Sequence, residues 1–183
     1  MWLWILIAVI VVIVLWIVST YNSLVGLRNT CKEAFSTMDV YLKKRWDLIP
    51  NLVETVKGYA KHEKDTLQEV ISLRNTPYES MSDDEKVKTN QKLSQSVTKI
   101  MALAEAYPEL KANENFKQLQ SELTSTEDKI SYARQFYNDS VMTYNNKVQM
   151  FPTNIIANIF NFKESKFFEI ENEKDKETPK VSF

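Results

Sequence analysis

Glycine is almost missing from this chain: 2 residues in 183, Gly26 and Gly58, with 5 prolines beside them. That leaves little material for hairpin turns, sandwich corners or glycine-rich phosphate loops, whereas the long Lys/Glu/Leu/Gln-rich stretches suit helices. Cysteine and histidine occur once each, as Cys31 and His62. A lone Cys31 forms no internal disulfide and reads as a small helix-surface or interface residue. Around His62, H-E-K-D-T is not H-E-x-x-H, and no second His or Cys falls at metal-ligand spacing, so no metal site is expected. A serine nucleophile would lack a base, since neither G-x-S-x-G nor S-x-x-K occurs, and no Glu-x-x-His supplies a di-metal bundle site. No catalytic residue and no cofactor are expected, and the protein is read as not an enzyme. An excess of positive charge is also missing. Lys and Arg total 23 against 24 Asp and Glu, interspersed, which gives no footprint for nucleic acid.

What is present begins at the N-terminus. Trp2 to Val18 is uninterrupted apolar sequence, about 26 Å long as a helix at 1.5 Å per residue and about the minimum that spans a hydrocarbon core. Trp2 and Trp4 at one end, and Trp16 and Tyr21 at the other, fall at the depths amphipathic rings prefer. No basic residue precedes the run and no small-residue cleavage pattern follows it, so an uncleaved anchor in a lipid bilayer is expected. Arg28 and Lys32 follow the run, which favours a cytoplasmic body.

No linker follows the anchor. Leu24, Leu27, Cys31, Ala34, Met38, Leu42, Trp46 and Ile49 recur at steps of three and four, so the membrane helix is expected to run into the first helix of the body. Pro50 interrupts the ladder and the spacing resumes at Val53, Val56, Ala60, Leu67 and Ile71; a kink at Pro50 is expected, with the helix ending near Asn75-Thr76-Pro77. Ser82-Asp83-Asp84-Glu85 is a capping-box helix start. Tyr107-Pro108 closes that second helix, and a third starts around Asn113 to Asn115, with a stripe from Phe116 to Phe151 that ends at Pro152. Thr153 to Phe162 is a short apolar helix, either a cap over the bundle end or a segment returning to the membrane surface. The expected fold class is all-α: an N-terminal transmembrane helix over 1–20, an antiparallel bundle of long helices with a short C-terminal helix over 21–162, and a charged, disordered tail over 163–183.

Polar residues border the apolar rows in two sets. Asp39, Arg45, Asp47 and Asn51 lie on the first helix, and Glu127, Arg134, Asn138 and Asn145 on the third, spaced by seven, four and seven. These types suit interhelical ion pairs and amide hydrogen bonds, which penalise wrong registers more than they stabilise the right one. The same residues could instead line a small-molecule pocket. The Lys43-Lys44-Arg45 run is too short for a lipid site and reads as a solvated face.

The stretches YNSLV (Tyr21 to Val25), LKKRWDLIPNLVETVKGYAKHE (Leu42 to Glu63), NFKQLQSEL (Asn115 to Leu123), the TED…AR…YN run (Thr126 to Asn138) and YNN…FPTNIIA (Tyr144 to Ala157) resemble the LemA family of bacterial membrane proteins. The resemblance implies a single-pass protein of the bacterial inner membrane with a helical bundle and no established reaction; one branch of the family is associated with magnetosome membranes. The functional expectation is a membrane-anchored scaffolding or interaction protein that self-assembles as a homo-oligomer and meets other membrane proteins. The competing expectation is a membrane-tethered, ligand-sensing bundle.

Overall fold

The computed structural model describes residues 1–60 and 63–168. All regular elements among them are helical: α1 (Trp2–Lys57), α2 (Lys64–Ser72), a 3-10 turn (Tyr78–Ser80), α3 (Asp83–Ala104), α4 (Pro108–Ala112), α5 (Glu114–Gln149) and α6 (Thr153–Ile159). His62 and the tail from residue 169 onward lie outside the described residues. The helices form two units, one from Met1–Thr37 and Ala133–Phe168, the other from Met38–Tyr132.

In the first unit α1 is exposed through residue 16 of its apolar stretch and turns a face inward from Ile17 onward. Leu24, Cys31 and Ala34 are buried there, and Leu24 and Cys31 share a core with Val141 and Tyr144 of α5 and Ile156 and Ala157 of α6. Cys31 is thus a core residue and not a surface one, because it shares the helical face of Leu24 and Ala34; burial pushes its thiol pKa up. The ring of Phe35 lies 5.7 Å from that of Tyr137, and Tyr21 packs edge-on against Phe160 and Phe162, so α5 descends antiparallel to α1. Pro152 cannot continue α5, and Thr153 Oγ1 donates to the carbonyls of Lys147 and Met150 (2.6 and 2.8 Å) at its end.

The last helix is shorter than the apolar run that suggests it. α6 stops at Ile159 because Asn161 takes a left-handed conformation (φ 55°) and closes a Schellman cap. The Phe162 N–H donates to Ala157 O at 2.8 Å and the Asn161 N–H to Asn158 O at 3.2 Å, after which the Phe162 ring is buried under Arg28, whose guanidinium stands 5.1 Å above it.

In the second unit α1 continues through Pro50 without a turn and buries Met38, Leu42, Trp46, Ile49, Leu52, Val53 and Val56. It ends at Lys57, well before Asn75. The carbonyl of Val56 accepts from both Tyr59 N–H (3.0 Å) and Ala60 N–H (2.8 Å), and Gly58, the weakest helix former after proline, sits at the break. The chain then returns: Arg74 stacks 5.1 Å over the Trp46 ring and Tyr78 lies 5.5 Å from it. Apolar spacing continues across the reversal, with Leu67 and Val70 buried in α2, while Ile71 is exposed. A period records a face and not the direction in which the chain travels.

α3 starts on a complete capping box: Ser82 N–H donates to Glu85 Oε2 at 2.8 Å, and Ser82 Oγ accepts from Glu85 N–H at 3.4 Å. It runs parallel to the second half of α1 and antiparallel to α2, to which Lys99 is tied through Glu69 at 2.9 Å. α3 ends at Ala104, just short of Tyr107-Pro108, and Pro108 opens the short α4, a position where its missing N–H costs no hydrogen bond. α5 then starts with Asn113, whose Oδ1 accepts from Phe116 N–H at 3.0 Å.

Candidate functional site

Two polar constellations are built into these units, and each uses side chains that the sequence marks out. The first centres on Arg45 of α1, whose side chain is 3% exposed. Its Nε–H and one Nη2–H reach Asn90 Oδ1 (3.3 and 2.9 Å), and the other Nη2–H reaches Asn90 O (2.7 Å). Nη1 donates to Ser94 Oγ at 2.6 Å and to Glu127 Oε2. The guanidinium has five N–H donors and all five are engaged, so α1, α3 and α5 are pinned at one register and no donor is left over for a ligand.

One turn and a half earlier, Asp39 accepts from Lys86 Nζ (2.9 Å) and from the Tyr78 hydroxyl (2.6 Å). Burial first, and the carboxylate next to it second, push the Tyr78 hydroxyl well above the usual phenol range. Lys86 and Lys43 stand 5.0 and 5.7 Å over the same ring. Asp39 therefore meets α3 and the 3-10 turn, not α5. Asp47 pairs along its own helix with Lys43 at 2.7 Å, a hydrogen bond that raises the lysine pKa, and Asn51 is exposed; among the described residues neither crosses to another helix.

The remaining members of the α5 set serve a second constellation. Asn145 and Asn138 each pair their side-chain amide with one residue of the extended segment that follows α6. Asn145 Nδ2–H donates to Ser165 O and Asn145 Oδ1 accepts from Ser165 N–H, both at 2.9 Å. Asn138 does the same with Phe168, at 3.1 and 2.8 Å. Beside them the hydroxyls of Tyr144 and Tyr137 donate to the carbonyls of Lys163 and Lys166, both at 2.9 Å. Arg134 lies 6.0 Å over the Phe168 ring. The spacing explains the fit. Seven helical residues rise about 10.5 Å and nearly complete two turns, and three extended residues cover about 10 Å, so a Tyr-Asn pair repeated after seven positions meets every third residue of the segment. Residues 163–168 are therefore held on α5, and the boundary drawn at 163 for a free tail falls too early.

Sequence reasoning misses Asn90, Ser94, Tyr78 and Lys86. A signal for Asn90 exists: it sits in step with Val87, Leu93, Val97 and Ile100, an amide inside an apolar row. Of the aromatic residues assigned to a membrane interface, Trp2 and Trp4 are exposed at the start of α1, and Trp16 and Tyr21 border the exposed apolar stretch at its other end. α1 is the one described helix long and apolar enough to cross a membrane. The outer face of α5 carries a shallow polar depression of about 670 Å³ lined by Lys117, Gln120, Thr124, Asp128 and Tyr132 among others. All its lining residues come from that single helix, so no groups from different elements converge on it.

Comparison with known proteins places these features in context. The model of the LemA family matches residues 34–183. The chain is 26% identical to Protein LemA of Metamycoplasma hominis over 141 residues, which is 74% of this chain and 63% of that protein. It is 32% identical over 71 residues to Magnetosome protein MamQ 2 of Paramagnetospirillum magneticum, and 31% over 70 residues to Magnetosome protein MamQ of Magnetospirillum gryphiswaldense. The first covers 39% and the second 38% of this chain, and each covers 26% of the relative. The aligned part is thus under two thirds of each of these relatives' length.

Proposed function

The chain belongs to the LemA family, and from that premise we propose that it is a membrane-anchored scaffold, a helical body that self-associates beside the bilayer and organises membrane without a reaction of its own. The observation that carries this reading is where the side chains of α5 are spent. Glu127, Arg134, Asn138 and Asn145 are turned to Arg45 and to the 163–168 segment, while Tyr132 of the second unit and Phe136 of the first stand 75% and 56% exposed. Each is an exposed aromatic side chain of the kind that suits a contact with another protein surface. The anchor strengthens the case, because confinement to two dimensions raises the effective concentration of copies for one another. The similarity to two proteins named for the magnetosome supports membrane organisation as the setting.

Light scattering on the full-length protein in mild detergent tests the proposal. A defined oligomer is expected, and the double substitution Tyr132→Glu, Phe136→Glu is expected to convert it to monomer. A monomer for the unsubstituted protein at all concentrations overturns self-association. We further propose that the body lies on the cytoplasmic side of a bacterial inner membrane, on the strength of Arg28 and Lys32 beyond the apolar stretch. In spheroplasts, a cysteine introduced at the exposed Glu114 in a Cys31→Ala background should resist a membrane-impermeant maleimide until lysis. Labelling before lysis reverses the orientation.

A further inference from the structure

The α5–α6 corner leaves a group of large apolar side chains uncovered at one end of the first unit. Phe151 is 80% and Ile159 68% exposed, with Met150, Ile155 and Phe160 also open to solvent. Phe151 continues the apolar stripe of α5 in sequence, yet the stripe's other members are turned to the core and Phe151 is not.

Position along α1 says what covers this face. Phe35 and Tyr137 are neighbours on antiparallel helices. Fourteen residues further along α5 is Phe151, and fourteen residues back along α1 is Tyr21, each about 21 Å away at 1.5 Å per residue. The corner is therefore level with Tyr21, and the rings agree: Tyr21 packs 4.8 Å from Phe160 and 5.6 Å from Phe162. Ile17, inside the apolar stretch, already packs against the core that holds Ile156 and Ala157. The apolar run of α1 is about 26 Å long, a few ångströms short of a typical 30 Å hydrocarbon core, which draws its C-terminal end toward the headgroups. Lys147 and Lys163 flank the corner, and Arg28 lies over Phe162 beside it, as basic groups flank a segment resting among phosphates.

We propose that the α5–α6 corner is a second membrane contact, in which Met150, Phe151, Ile155, Ile159 and Phe160 sit in the interfacial layer of the bilayer around the base of the anchor. The protein then rests on the membrane as well as being tethered to it, and α6 fixes the angle at which the first unit meets the lipid. The inference rests on α1 spanning the bilayer and not on self-association.

Depth measurement by spin labelling tests it. Full-length protein in a Cys31→Ala background carries single cysteines at Val9, Phe151, Ile159 or Asp139 and is reconstituted in phosphatidylcholine/phosphatidylglycerol vesicles. The label at Val9 reports on the anchor, and that at exposed Asp139, higher on α5, on the aqueous side. Labels at Phe151 and Ile159 are expected to favour oxygen over a water-soluble nickel complex several-fold relative to Asp139, at a shallower depth than Val9. If Val9 lies in lipid while Phe151 and Ile159 match Asp139, the second contact is refuted and the anchor stands. An aqueous Val9 refutes both. Spectral broadening at Phe151 that disappears on dilution with unlabelled protein, without oxygen preference, shows that another copy covers the face and also overturns the proposal.

Discussion

Replacing Arg45 by alanine separates two accounts of what holds the second unit in register. If the ion pair with Glu127 dominates, removing either partner has a similar cost. The structure argues otherwise. Glu127 is 53% exposed on its side chain, so its carboxylate regains water when the guanidinium goes, and an exposed pair is worth about 0–1 kcal/mol. Asn90 is fully buried, and its side-chain Oδ1 loses both of its hydrogen bonds with no water to replace them, at about 1–3 kcal/mol, while its main-chain carbonyl keeps the bond from Ser94 Oγ. Arg45→Ala should therefore cost roughly 2–3 kcal/mol once the lost packing of its stem is included, about 6–9 °C in Tm for a chain of this size, against less than about 1 kcal/mol for Glu127→Ala. Urea unfolding of the detergent-solubilised protein followed by far-UV circular dichroism measures both. A double variant, Arg45→Met with Asn90→Leu, removes the donor and the side-chain acceptor together and should recover most of the loss, since an apolar replacement of a whole buried polar group is close to neutral. Equal costs for Arg45→Ala and Glu127→Ala, or no recovery in the double variant, would falsify the reasoning.

Three further outcomes follow from the geometry. Tyr78→Phe removes a hydrogen bond to a carboxylate and should cost about 1.5–3 kcal/mol. Because the folded state holds the Tyr78 proton above its ordinary pKa of 10.0, the stability it contributes is complete below pH 10 and falls as pH rises beyond it; the alkaline slope in unfolding experiments should flatten in the phenylalanine variant and would not if the hydroxyl ionised normally. Asn138→Ala and Asn145→Ala should each abolish hydrogen-exchange protection at one amide, Phe168 and Ser165 respectively, while Asn→Asp keeps the acceptor and so retains the bond from that amide; protection that survives the alanine variants disproves the pairing. At φ 55°, Asn161→Gly should be neutral or slightly stabilising and Asn161→Ala should lose about 1 kcal/mol, and the reverse order in thermal melts would count against the Schellman cap.

What can be read in the residues alone divides by physical cause. Helix faces are legible because burial repeats at 3.6 residues: Leu24, Met38, Leu42 and Ile49 on α1 and Leu123, Ile130, Val141 and Tyr144 on α5 are all buried. Helix starts at Ser82 and Asn113 are legible because a cap is a local bond between a side chain and a nearby amide. The reversal after Lys57 is not, since Leu67 and Val70 resume an apolar period whether the chain goes on or turns back. Arg45 and Glu127 are visible as polar residues beside apolar rows, but Asp39 takes its partners from α3 and the 3-10 turn, elements whose approach no spacing within α1 encodes. Asn138 and Asn145 are visible too, and their partners are not, because those partners are main-chain groups that every residue possesses.

That last property bears on how the chain can change over time. Ser165 and Phe168 are gripped by their N–H and C=O, so the side chains of Lys163, Glu164, Ser165 and Phe167 can be exchanged freely, apart from proline at the gripped Ser165 amide, while the Phe168 ring is covered by Arg134. A single inserted or deleted residue between 165 and 168 is different: it breaks the match of three extended residues to seven helical ones and frees one end of the segment. Drift in this part of the gene is thus tolerant of substitution and intolerant of frame, with the constraint written in two asparagines of α5 and not in the segment they hold.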